Sequence, residues 1–174
     1  MQNLGWRFHT NHGTNIVLSN DGLTAERVGG HDYGIVVADQ PMVPDVLYEI
    51  RIDKRDPQFM FLRYMPCGVV LTDPDHLRLP GTAYRGWGRE AVVISGAVYN
   101  RGHTEKNNLN DATLNLWKGT RVGVMVTTKA ELHLWVNGSD RGVIATTVPT
   151  PCFAFFELRH RYKRVSILLS THLG

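Results

Sequence analysis

Apolar and polar residues alternate with a period of two along several separate stretches of this chain. In Val46–Ile52, Tyr48, Ile50 and Ile52 share one face while Glu49 and Arg51 take the other. Val122, Val124 and Val126 repeat the pattern in Arg121–Thr127, and Leu132, Leu134 and Val136 do so in Glu131–Val136. The final stretch sets Val165, Ile167 and Leu169 against Arg164, Ser166 and Leu168. This spacing turns one face of a strand toward a core and the other toward solvent. Shorter candidate strands are Trp6–Thr10, Ile16–Asn20, Ala25–Val28, Tyr33–Ala38, Phe59–Met65, Gly68–Thr72, Val92–Ser95, Val98–Arg101, Val143–Thr147 and Phe153–Leu158. No stretch keeps a convincing helical period; Asp73-Pro74-Asp75 is expected to start one short helical turn through Leu79.

Turn chemistry separates the runs. The 17 Gly and 8 Pro fall mostly between them, which argues against a helix bundle. Asn20-Asp21-Gly22 divides two early strands, and Asn137-Gly138 after Leu134-Trp135-Val136 is a strong hairpin signal. Many short strands with regular turns predict an all-β chain, a two-sheet antiparallel sandwich. A length of 174 residues suits one domain spanning 1–174.

Composition narrows the function classes. Lys+Arg 19 against Asp+Glu 16 leaves +3, too weak a charge to demand nucleic acid. No apolar run approaches the ~20 residues that cross a membrane, so no membrane insertion is expected. Cys67 and Cys152 cannot make a disulfide framework or a four-cysteine zinc site. The opening Met1-Gln2-Asn3-Leu4-Gly5 lacks an apolar signal segment, so two reduced, buried thiols in an intracellular protein are expected. Asn137-Gly138-Ser139 is then a turn rather than a glycosylation site.

An ordered set of short motifs resembles the neuralized homology repeat. It comprises Phe8-His9, His12-Gly13, Asn15-Ile16, Leu18-Ser19, Ala25, Arg27, Gly34–Val37, Tyr48-Glu49-Ile50, Gly68-Val69, Trp87, Gly119 with Arg121-Val122-Gly123, Val136-Asn137-Gly138 and Phe156-Glu157-Leu158. The set covers nearly the whole chain, and Trp87 to Leu158 looks most like the multi-repeat members. The resemblance implies a SPRY- and concanavalin-like β-sandwich that recognises protein segments without catalysis, Asn-x-x-Asn peptides among them. It also implies an adaptor or ubiquitin-ligase-associated role, a cytoplasmic and centrosomal setting, and other repeats in the parent chain. Two positions differ from the family pattern. Asp56–Tyr64 stands where a Trp-Ser-Gly turn is usual, and Arg159-His160 where a Tyr-Gly turn is usual.

The chemistry-bearing constellations are weak. The eight histidines have no ligand-like spacing, so no metal and no cofactor are expected. Ser95 lacks the preceding glycine of a nucleophile elbow. Gly86-Trp87-Gly88-Arg89-Glu90-Ala91 leads into a strand, whereas a dinucleotide fingerprint opens a helix. No catalytic residue is assigned, and an enzyme is not expected.

Loop aromatics and arginines are more informative, because such residues anchor interfaces. Expected ligand-binding residues are Asn15, Arg27, Tyr84, Arg85 and Trp87. Trp87 either plugs the core from its loop or lines a recognition surface. Arg27 either meets the amides of an extended peptide or ties down its own neighbouring loop. Trp135 points away from Leu134 and Val136, under a covering loop or onto a concave face. Arg159, Arg161, Lys163 and Arg164 are expected to crowd at a hairpin tip between Glu157–Leu158 and Val165–Leu169. They contact an acidic partner there, or they form a solvated tip. The expected function is a noncatalytic protein- or peptide-binding module. A lectin-like sandwich and a purely structural, self-assembling repeat are the alternatives.

Overall fold

The alternation is realised as two antiparallel sheets facing one another across a shared core. The structure, a computed structural model, describes residues 5–58, 64–105, 113 and 115–169. Among these, thirteen strands follow in order: β1 (Ile16–Ser19), β2 (Thr24–Arg27), β3 (Ile35–Val37), β4 (Tyr48–Arg55), β5 (Cys67–Val70), β6 (Ala91–Ile94), β7 (Val98–Asn100), β8 (His103–Glu105), β9 (Arg121–Val126), β10 (Leu132–Val136), β11 (Ser139–Ala145), β12 (Phe153–Glu157) and β13 (Tyr162–Leu168). One helical turn, α1 (Ala83–Gly86), precedes β6. The first sheet has the order β1-β2-β13-β4-β9-β10-β11 and the second β3-β12-β5-β6-β7-β8. The expected two-sheet antiparallel fold is therefore the observed one.

Burial explains why the two sheets look different in sequence. In the seven-stranded sheet, Ile50, Ile52, Val122, Val124, Leu132, Leu134 and Val165 face the core while alternate residues are wetter. Strands β3, β12, β5 and β6 of the six-stranded sheet are covered on both faces. Val36, Val69, Val92 and Phe156 meet the first sheet, whereas Ile35, Val37, Val70, Val93, Phe153 and Phe155 form a second cluster under Leu77, Ala83 and Trp87. Strands buried on both faces read as unbroken apolar runs, as in Cys67–Val70 and Phe153–Phe156. The segment from Leu71 to Glu90 is therefore a lid over a sheet face.

The hairpin at Asn137-Gly138 forms as expected, with Val136 opposite Ser139 and both turn residues at positive φ (51° and 77°). Other expectations change. Trp6–Thr10 is not a strand: it makes one antiparallel bridge, Phe8 with Ala38 just past β3, and Phe8 N–H donates to Gly22 O beside β2, so the segment ties the two sheets together. Asp73–Leu79 makes no helix; its backbone turns at Pro74–His76, and the helical turn comes later, at α1. Strand β11 begins directly after the hairpin, earlier than Val143, and β8 was not foreseen because all three of its residues are exposed. Of the expected strand Phe59–Met65, residues 59–63 lie outside the described residues. The largest change concerns β12 and β13. They belong to different sheets, so Leu158–Arg161 is a crossover and not a hairpin tip.

Candidate functional site

Three loops converge where β12 hands over to β13. Residues 28–34 join β2 to β3, the lid carries α1, and 158–161 make the crossover. Leu158 N–H donates to Gly34 O (2.9 Å) and Tyr33 N–H to Gly81 O (2.9 Å), which binds the three together through the backbone. Gly34 has to be glycine: a Cβ there would lie 2.1 Å from Leu158 O.

Arg27 is the internal clamp of this junction. It ends β2 at 1 % exposure, where a buried charge needs hydrogen-bond partners, and its two terminal nitrogens find them. Nη1 donates to Gly29 O (3.3 Å) and Gly30 O (2.9 Å), and Nη2 donates to His160 O (2.6 Å). Asp56 lies 3.8 Å away. Burial draws its pKa down and Asp56 opposes that shift. Asn15 clasps the same loop from the other side. Its Nδ2 donates to Asp32 O (2.8 Å), its N–H donates to Tyr33 O, and its carbonyl accepts from Val28. Of the two readings open for Arg27, the structure shows the loop-tying one.

Above the clamp lies an aromatic and cationic rim. The guanidinium of Arg85 sits 5.2 Å from the Tyr84 ring centre and that of Arg159 sits 5.6 Å from it. Tyr84 also meets Tyr99 at 5.6 Å. Arg159 reaches Asp32 at 3.6 Å, linking the crossover to the first loop. Arg85 and Tyr33 are exposed. Stacked His31 and His160 (5.2 Å) flank the rim, and burial lowers the His160 pKa, with Arg159 and His31 adding to the effect. Beneath it, Glu157 is fully buried. Its Oε1 accepts Ala83 N–H at 3.2 Å, so it pins the lid to the sheet. Burial pushes its carboxyl up to about 7, against the opposing pull of the Ala83 N–H and of Arg159.

The remaining expected residues lie elsewhere. Trp87 is 3 % exposed, packs edge-on against Phe155 at 4.9 Å and donates Nε1–H to Arg78 O (2.7 Å). It is the core plug, one of its two open readings, and its ring lies beneath the rim rather than on it. Arg161 is buried and donates to Asn115 Oδ1 (2.6 Å). Arg164 lies on β13 near Glu26 (3.4 Å), and Lys163 is half-buried beside it. With no hairpin tip to hold them, Arg159, Arg161, Lys163 and Arg164 disperse, and only Arg159 reaches the rim. Trp135 is half-buried on the outer face of its sheet, opposite Gly123 and Asp140. Sequence reasoning missed Asp32 and Tyr33. The signal was available, since an aromatic between Gly29-Gly30 and Gly34 has the same loop setting that singled out Tyr84. Among the described residues no three His, Cys, Asp or Glu side chains are grouped to hold a metal ion, and no helix is long and apolar enough to cross a membrane.

A two-sheet sandwich that presents loop aromatics and arginines at one end has the architecture of a protein-interaction domain. The chain belongs to the Neuralized family, whose model matches residues 8–169. It is similar to the neuralized NHR1 domain of Drosophila melanogaster in a crystal structure (16% identity, TM-score 0.72, covering 95% of this chain and 98% of that one). A solution structure of the NHR domain in Neuralized from Drosophila melanogaster gives 16% identity and a TM-score of 0.73, covering 97% and 94%. The SPRY domain of human HERC1 is similar at 13% identity and a TM-score of 0.67, covering 96% and 99%.

Proposed function

We propose that residues 1–174 act as one receptor domain for an extended segment of a partner protein, and that the rim of Tyr33, Tyr84, Arg85 and Arg159 makes the contact. The observation that carries this reading is the pairing of exposed Arg85 and Tyr33 with fixed loops beneath them: Arg27 and Asn15 tie down the Tyr33 loop and the crossover, and buried Glu157 pins the lid that carries Arg85. Preorganised loops lose little entropy on binding. A peptide rich in Asn side-chain amides suits such a rim, because guanidinium donors, the Asp32 carboxylate and the Tyr hydroxyls match amide acceptors and donors.

The finer reading follows the likeness of Trp87–Leu158 to repeats of neuralized-like protein 4. The domain then serves an adaptor or ubiquitin-ligase-associated protein with further repeats, in the cytoplasm and at the centrosome. The reading takes the partner to be a protein and not a nucleic acid, since Asp32 sits in the rim beside Arg159 and a carboxylate there repels a phosphate backbone.

Calorimetric titration with an Asn-x-x-Asn peptide and its double-alanine control tests the proposal. Micromolar binding is expected, lost in the control and weakened about tenfold by Arg85→Ala or Tyr33→Ser. Folded variants that bind as tightly as the parent domain would remove the rim from the contact.

A further inference from the structure

A second surface lies at the turn before β9. Trp117 is 70% exposed, whereas Trp6 and Trp87 are buried. Its backbone is nonetheless fixed. Thr120 N–H donates to Trp117 O (3.0 Å), Gly119 N–H donates to Ile52 O (2.7 Å), and Ile52 N–H donates to Thr120 O (2.9 Å). On its other side Leu116 N–H donates to Tyr162 Oη (3.0 Å). The indole is thus held out to solvent by a turn bonded to β4 and β13. The Arg55 guanidinium stacks over it at 4.5 Å.

Beside this turn is an open cleft of about 410 Å³ lined by Arg51, Ile52, Asp53, Lys118, Gly119 and Arg164. Its charges do not cancel. Asp53 is the one carboxylate in the lining, and it is occupied by Arg51 Nε (2.8 Å) and the Ser166 hydroxyl. Arg164 reaches only Glu26, at 3.4 Å, and Lys54 lies opposite it in register. Among the described residues, neither Arg55 nor Lys118 has a carboxylate within ion-pair distance. A rigid exposed Trp with a stacked Arg has the composition of an interface hot spot, and uncancelled cations around it select an anionic partner.

We propose that the Trp117 turn and its cleft form a second docking surface, for an acidic segment of a partner protein that carries an apolar side chain to cover the indole. A compact phosphate fits less well. The cations come from β4, β13 and the turn, with Asp53 among them, so they face a line of carboxylates better than a single point. This surface shares no residue with the rim and does not depend on the reading given to it.

The test is fluorescence anisotropy with a labelled, capped peptide of glutamates flanking a phenylalanine. Controls replace the glutamates by glutamine or the phenylalanine by serine. The variants are Trp117→Ser and Lys118→Glu, both at exposed positions, with thermal melts confirming that they fold. Saturable binding is expected that falls as salt rises, weakens about tenfold in each variant and with each control peptide, and is unchanged by Arg85→Ala. Equal binding by the variants or by the glutamine peptide, or no saturable binding, would overturn the proposal. So would a loss of peptide binding in Arg85→Ala alone, or Lys118-dependent binding of phosphatidylserine vesicles or inorganic phosphate in place of the peptide.

Discussion

Replacing Trp87 with alanine distinguishes a core plug from a contact residue. The indole is 3 % exposed, meets Phe155 edge-on at 4.9 Å and satisfies Arg78 O through Nε1. Truncation of a buried Trp costs about 3–5 kcal/mol, and the orphaned carbonyl adds to that. Whole domains are stable by only about 5–15 kcal/mol, so the loss removes a large share. At roughly 2–4 °C per kcal/mol for a chain of this size, the melting midpoint is expected to fall by about 6–20 °C. Guanidinium melts give the direct reading, with a lower midpoint and an unchanged slope. Arg85→Ala, two positions away but exposed, is expected to stay within about 0.5 kcal/mol of the parent. A Trp87→Ala domain as stable as the parent would refute the reasoning, since the lid would then need no plug.

Further outcomes follow from the same contacts. Glu157 is held above its ordinary value of 4.5, at about 7, so its contribution to stability is whole below 4.5 and is lost as pH rises through 7. Glu157→Gln keeps an acceptor for Ala83 N–H and is expected to flatten the stability profile over that window, a change of roughly 3 kcal/mol; an unaltered profile would show that the carboxyl is not buried. Gly34→Ala forces a Cβ to 2.1 Å from Leu158 O and is expected to cost about 1–3 kcal/mol or more, read by chemical denaturation; a neutral result would mean that β3 can part from the crossover freely. Burial pushes Cys67 up to about 12 and Cys152 up to about 11, so both thiols are expected to ignore a disulfide reagent at pH 8 until guanidinium unfolds the domain; prompt labelling of the native protein would contradict their placement.

The sheets were legible because each strand obeys a simple burial rule. One-sided strands such as β10 alternate, and two-sided strands such as β6 are solidly apolar. The exposed trio His103–Glu105 obeys neither rule, and a two-residue turn, Arg101-Gly102 with both φ positive (50° and 93°), folds it back onto β7. The site was half legible. Tyr84 and Arg85 announced themselves by type and loop setting, but the fate of Trp87 depended on whether the neighbouring sheet face needed a cover. The basic run after Glu157 misled for a related reason. Adjacency in sequence suggested a hairpin, and nothing local reveals that the chain changes sheets at Leu158. Trp117 sits between Leu116 and Lys118 with no pattern to mark it as exposed.

The strand orders also bear on how such a chain matures as it is synthesised. β12 is inserted between β3 and β5, and β13 between β2 and β4, so each sheet is interrupted until these two late strands arrive. Pairings this distant in sequence close slowly, on the order of milliseconds to seconds. Until then β2, β3, β4 and β5 each present an open edge. A nascent chain that has released everything up to β11 therefore has each sheet in two parts, β1-β2 apart from β4-β9-β10-β11 and β3 apart from β5-β6-β7-β8, until about twenty more residues have emerged, roughly 1–4 s at ordinary elongation rates.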